Sequence, residues 1–159
     1  MDDSWKLDLT RLLQRNRIGF LSTSGGHGPE VSMAPFALFE GDLLLHLSGL
    51  ARHTKNLELS SAAGFMICAP EADGESILSL ARVSLQGDLR PVSDQSFEAA
   101  KAAYLKAVAE AEPLFDFADF RLFRFFVTEI YWIGGFGSAR ALTLPQWRSV
   151  LSGRPKEER

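Results

Sequence analysis

The chain has 159 residues, 46% hydrophobic and 23% charged, with a formal net charge of −3. That length and balance describe one globular domain with a sizeable core, to which twelve Phe contribute. The mild acidity and the lack of a basic tract argue against nucleic acid as the main partner. No apolar run approaches the roughly 18–20 residues needed to span a membrane. The opening residues lack the charged-then-apolar pattern of a signal peptide, so the cytoplasm is the expected location. A single cysteine, Cys68, excludes an internal disulfide and a cysteine-based metal cluster.

Residues 4–15 read as a helix that Ser4 can cap, because Trp5, Leu9, Leu12 and Leu13 recur at helical spacing. Residues 18–23 are an expected strand and 24–29 a Gly-rich turn. A second strand is expected from Glu30 to Phe39. On it Val31, Met33, Ala37 and Phe39 share one face and Ala34, Phe36 and Leu38 the other. Both faces are apolar, which predicts cover on both sides. Pro35 has no N–H for a ladder, which predicts a bulge or an unpaired edge. A turn at 40–42 leads into a buried strand over 43–47, and a short helix follows Ser48-Gly49.

Residues 64–69 form the next expected strand and 70–75 a loop. Along 81–92, Val83 and Leu85 face one way, while Arg82, Ser84 and Gln86 face the other. Gly87, without a side chain, admits a close approach by another group. The helix over 94–111 shows Phe97, Ala100, Tyr104 and Val108 on one face, with Ser93 or Asp94 as cap and Pro113 as stop. Strands over 120–127 and 129–133 follow with little turn between them. Gly134-Gly135-Phe136-Gly137 is either a tight turn or a backbone segment approaching a flat ligand, with Phe136 or Trp132 stacking on it. A last helix starts at Thr143 with Pro145 in its first turn, and 154–159 is a charged tail. About six or seven strands with one inserted helix predict a mainly β protein, a closed or nearly closed antiparallel barrel with flanking helices.

The chemistry concentrates where the short helix begins. Arg52, His53 and Lys55 lie in or near its first turn, where the dipole already places about half a positive charge. Three cationic side chains there fit a bound anion. Exposed backbone N–H groups, the Ser48 hydroxyl and two firm positive charges are the parts of a phosphate site. A solvated basic turn, with Glu58 neutralising Lys55, is the competing reading. Arg82, Ser84 and Gln86 are a second polar set, either a wet strand surface or part of the same site. His27, His46 and His53 lack metal-ligand spacing, and His46 is expected in the core. Ser24 and Ser48 have no G-x-S-x-G frame. Cys68, between apolar neighbours, reads as core.

Taken together, Leu47-Ser48-Gly49-Leu50-Ala51-Arg52-His53-Thr54-Lys55-Asn56-Leu57, then 81–87, 119–122 and 134–139, resemble the pyridoxamine 5'-phosphate oxidase-like, FMN-binding split-barrel family. Within it the haem-utilisation (HugZ-type) branch is the most similar. The resemblance covers roughly residues 8–140, leaving 141–159 as a C-terminal helix and tail. It implies a six-stranded split β-barrel that forms a homodimer with FMN in grooves at the interface. It assigns the flavin phosphate to Ser48, Lys55, and Arg52 or His53, joined by Arg82 and Gln86. It sets the backbone of Ser32, Met33 and Ala34 against the isoalloxazine edge. The implied function is an FMN-dependent oxidoreductase acting on a small-molecule substrate. Haem binding or haem degradation, and a non-enzymatic FMN carrier, are the alternatives; some relatives hold a deazaflavin. After Gly137 the chain carries no His. The C-terminal His of the catalytic oxidases and of the haem-degrading relatives therefore has no counterpart, and no catalytic acid or base is assigned.

Overall fold

Alternation sets the architecture. In β1 (Ile18–Gly25) the odd residues Leu21 and Thr23 are buried and the even residues Ile18 and Phe20 are exposed, and the same two-sidedness runs through the neighbouring strands. The computed structural model describes residues 3–135 and 138–152. Phe136, Gly137 and residues 153–159, which include the charged tail, lie outside the described residues.

In chain order the elements are α1 (Ser4–Arg15), β1, β2 (Gly28–Pro35), β3 (Ala37–Phe39), β4 (Asp42–Ser48), α2 (Arg52–Leu59), β5 (Ala62–Cys68), β6 (Arg82–Pro91), α3 (Phe97–Ala107), β7 (Phe120–Ile133), β8 (Ala139–Leu142) and α4 (Leu144–Ser152). Short 3-10 segments cover Ile77–Ser79 and Ala109–Asp116. All pairings are antiparallel, in one eight-stranded sheet ordered β2-β1-β5-β6-β7-β4-β3, with β8 added beside β7.

The two ends of that order, β2 and β3, are consecutive in the chain. The expected single strand over 30–39 is therefore two strands on opposite edges of a sheet that does not close. Pro35 ends β2 opposite Ile18, and the next N–H, that of Phe36, donates to the Arg17 carbonyl at 2.9 Å instead of a ladder. The sheet bends through this corner, and the barrel is split there.

Two apolar clusters stabilise the sheet. Leu21, Leu43, Leu45, Phe65, Val83, Leu85, Phe125 and Trp132 fill the inside, capped by Trp5, Leu9, Leu12 and Leu13 of α1 and by Trp147 and Val150 of α4. On the far side of β4, Leu44 meets Ala37, Leu122, Ala100, Tyr104, Val108 and Ala111. That is why 43–47 is a buried run of leucines interrupted only by His46: β4 is covered on both faces. α4 begins one residue after the expected start, at Leu144, and Thr143 caps it: its Oγ1 accepts from the Gln146 N–H while its own N–H donates to Gln146 Oε1.

Several expectations need correction. Residues 120–133 are one strand, with a register shift at Gln86/Gly87 that leaves Thr128 unpaired as a bulge. The group close to Gly87 is the neighbouring strand: a Cβ there would lie 2.0 Å from the Phe126 carbonyl oxygen. α3 is shorter than 94–111, with Ser96 in the cap position, and Pro113 sits inside the following 3-10 segment. Asp3, rather than Ser4, precedes α1. Finally, β2 is covered on one side only, since Val31 is 71% and Met33 56% exposed while Ala34 is buried.

Candidate functional site

α2 is pinned over the inward face of β1 and β2. The Thr54 hydroxyl donates to the Ser48 carbonyl at 2.6 Å, tying the helix to the end of β4. The buried Asn56 amide donates to Thr23 Oγ1 at 3.1 Å and to Glu30 Oε2 at 2.9 Å, tying it to both strands. These bonds frame a cleft of about 490 Å³ lined by Thr23, Glu30, Val31, Ser32, Arg52 and His53. β2 is the sheet's terminal strand, so one of its two edges carries no strand partner among the described residues.

Within the cleft, His53 Nδ1 lies 3.1 Å from Ser32 Oγ. Its Nε2 is buried with no hydrogen-bond partner. Burial lowers the imidazole pKa from its usual 6.5, which favours the neutral ring. The Arg52 guanidinium pairs with Glu30 Oε1. Ser48 Oγ donates to Asp119 Oδ2 at 3.2 Å and accepts from the Leu50 N–H at 3.2 Å. Lys55 is exposed and forms no ion pair among the described residues, with Glu58 or otherwise.

The predicted site residues therefore fall into two groups. Ser32, Arg52 and His53 line the cleft, and Ser48 stands at the turn that leads into α2. Ala34 is buried on the same inward face of β2. Met33, Arg82 and Gln86 point to the opposite, outward face. Register puts Arg82 opposite Cys68 and Gln86 opposite Gly64, on the side of the sheet away from buried Val83 and Leu85. Arg82 Nη1 donates to the Leu80 carbonyl at 2.9 Å. Within one chain the β6 polar set and the α2 cleft are thus on different faces. Trp132 is fully buried in the core and not free to stack on a ligand; the stacking role for Phe136 falls outside the described residues.

Sequence reasoning missed Glu30, Asn56, Thr23 and Asp119. The one available signal was spacing: Glu30 shares a strand face with Ser32, so an acid two residues before a cleft residue points into the same space. Nothing in the sequence ties Asp119 to Ser48, because that contact spans 71 positions.

The outward face of the sheet carries an apolar patch on β2, β1 and β5, beside the polar residues Arg82, Ser84 and Gln86 of β6. Met33, Phe20 and Met66 stand side by side in register, and Ser84 and Tyr131 continue the same row. Met33 is 56%, Phe20 47%, Met66 37% and Tyr131 48% exposed, and Ile18 and Val31 extend the patch. No group of three or more His, Cys, Asp or Glu suited to a metal ion occurs among the described residues. No described helix is long and apolar enough to cross a membrane.

Comparison with known proteins agrees with this architecture. A haem-binding protein from Mycobacterium smegmatis superposes with a TM-score of 0.84 at 29% identity, over 94% of this chain and 62% of that one. The chain thus spans under two thirds of that protein's length. HutZ, a haem storage protein from Vibrio cholerae, matches with a TM-score of 0.66 at 23% identity, over 75% of this chain and 87% of its own. A general stress protein 26-related protein of the pyridoxinephosphate oxidase family from Clostridium acetobutylicum gives 0.70 at 13% identity, over 92% and 99%. The last two likenesses speak for the fold alone. No curated protein is detectably similar in sequence. The family model described as CREG, beta-barrel matches residues 11–149, and the chain belongs to that family of split barrels with the pyridoxamine-phosphate-oxidase-like fold.

Proposed function

We propose that the protein binds haem, at the interface of a homodimer formed over the outward face of its sheet. The observation that carries this reading is the exposed row Met33–Phe20–Met66. A tetrapyrrole needs a broad apolar surface, a cation for its propionates and a donor atom for iron. The row supplies the surface, Arg82 is a cation on the same face, and the Met33 and Met66 thioethers are donors of a kind that haem iron accepts. Bound haem would supply redox and oxygen chemistry, and the chain would hold it and shield it. A contiguous apolar patch marks an interaction surface. A second copy of the same face is a partner of matching chemistry, as in isologous dimers. The haem-binding relative at 29% identity supports the same choice.

FMN is the second reading, favoured by the α2 cleft beside the open edge of β2. An FMN-dependent oxidoreductase acting on a small molecule remains the form it takes. Against it, the Arg52 side chain is already matched to Glu30 and the Ser48 hydroxyl to Asp119, which weakens a phosphate grip.

Titration with hemin and with FMN tests the two readings on one sample. Haem binding gives a shifted, saturable Soret band, and Phe20→Asp loses it together with the dimer. Quenched FMN fluorescence with no Soret change would overturn the haem reading in favour of the flavin.

A further inference from the structure

We infer that Glu30 is a specificity residue of the α2 cleft: its carboxylate is a built-in anion that occupies the groups a phosphate would use. The inference deepens the reading above and rests on its view that this cleft is not a phosphate grip.

The start of α2 looks, by residue type, like a place for a phosphate: a helix N-terminus, an arginine, a histidine and nearby hydroxyls. The arrangement of its donors says otherwise. Glu30 Oε1 takes the Arg52 guanidinium, and Glu30 Oε2 takes the Asn56 amide at 2.9 Å. Each carboxylate oxygen has its own donor, the pattern two phosphoryl oxygens would claim. The acid is the better fixed partner, for the Glu30 side chain is 28% exposed against 80% for Arg52. Its second donor, Asn56, is buried and held in turn by Thr23.

Charge reinforces geometry. Arg52 and Glu30 cancel, and burial favours a neutral His53. A dianion entering the cleft meets a fixed like charge, and no side chain lining the cleft carries an unmatched positive charge to offset it; such a juxtaposition is unfavourable. What remains on offer is hydrogen bonding from Ser32, Thr23 and His53. The cleft is built for a neutral, hydrogen-bonding group and against a phosphoryl group.

The test uses the full chain and three probes: inorganic phosphate, FMN, and riboflavin, which is FMN without its phosphate. The wild type should gain no melting temperature from phosphate at fixed ionic strength and should bind FMN no tighter than riboflavin. Glu30→Gln removes the charge and keeps the shape. It should melt higher in phosphate and bind FMN at least ~10-fold tighter relative to riboflavin. Glu30→Asp should behave as wild type. Glu30→Ser, shorter and neutral, serves if the Gln variant does not fold. The inference is overturned if the neutral variants gain nothing for phosphate or FMN, or if the wild type already prefers FMN tenfold. A parallel hemin titration separates the two proposals: absence of a Soret shift in the wild type and in every variant sinks the haem reading and leaves the Glu30 result standing.

Discussion

The imidazole of His46 lies flat on the ring of Phe115, with centroids 3.9 Å apart and planes 10° from parallel. Phe120 and Tyr104 close the other sides at 5.3 and 5.7 Å. His46 Nδ1 has no hydrogen-bond partner, and burial lowers its pKa from 6.5 to about 4. The same burial pushes the Tyr104 phenol up to about 12, against the opposing pull of a hydrogen bond from the His46 backbone.

The sign of the resulting pH dependence follows from linkage. His46 stays neutral in the fold at a pH where the unfolded chain already takes up the proton. Its contribution is complete above pH 6.5 and is lost as the pH falls toward 4. The loss is at most about 3 kcal/mol. Urea unfolding measured across that window should show the decline in wild type, and His46→Phe should remove this part of it.

Gly87 sits where β6 meets the bulged β7, and a Cβ would be 2.0 Å from the Phe126 carbonyl oxygen. Backbone cannot yield as a side-chain tip can. Gly87→Ala should cost about 2 kcal/mol or more, read as a lower urea midpoint. A variant as stable as wild type would show that the two strands separate there at little cost.

Trp147 anchors α4 to the β3–β4 turn, burying its ring and donating Nε1–H to the Gly41 carbonyl at 2.9 Å. Trp147→Phe keeps most of the packing and loses the bond, for about 1 kcal/mol. Trp147→Ala also opens a cavity and should cost about 3–5 kcal/mol. Chemical denaturation of the pair separates bond from packing.

Phe20 is central to the outward apolar row and takes no part in the core. Phe20→Asp should therefore leave the melting temperature of the monomer near that of wild type and convert a dimer to a monomer in sedimentation velocity. A wild-type chain that sediments as a monomer at every concentration would remove the second copy as the partner of this face.

Local patterns were legible in the sequence; pairings across long separations were not. The spacing of Trp5, Leu9, Leu12 and Leu13 located α1, and the alternation of Val83 and Leu85 against Arg82 and Gln86 gave the faces of β6 correctly. Pro35 marked a disturbance, but its form depended on the Phe36 N–H finding Arg17, a contact no local pattern encodes. β8, four residues beside a Gly-rich turn, was too short to register. The basic residues of α2 were visible; the acid that answers Arg52 was not, because pairing is decided by the fold and not by neighbours in sequence. The position of Arg82 and Gln86 relative to the cleft has the same cause: residue type gave no sidedness, and the sheet puts the two sets on different faces of one chain.

The corner at Phe36 also fixes an order of events during chain growth. β1–β2, β3–β4 and β5–β6 each join strands that lie close in sequence, and each can form early. Passage from the first of these hairpins to the second through the sheet requires β7, whose Arg124 meets Asp42 across 82 positions. A nascent chain that has not yet produced residues 120–133 therefore carries β4 with a bare edge, although that strand is the most deeply buried one in the finished protein. During synthesis, that Leu-rich edge is the place where a chaperone has most to protect and where aggregation would begin.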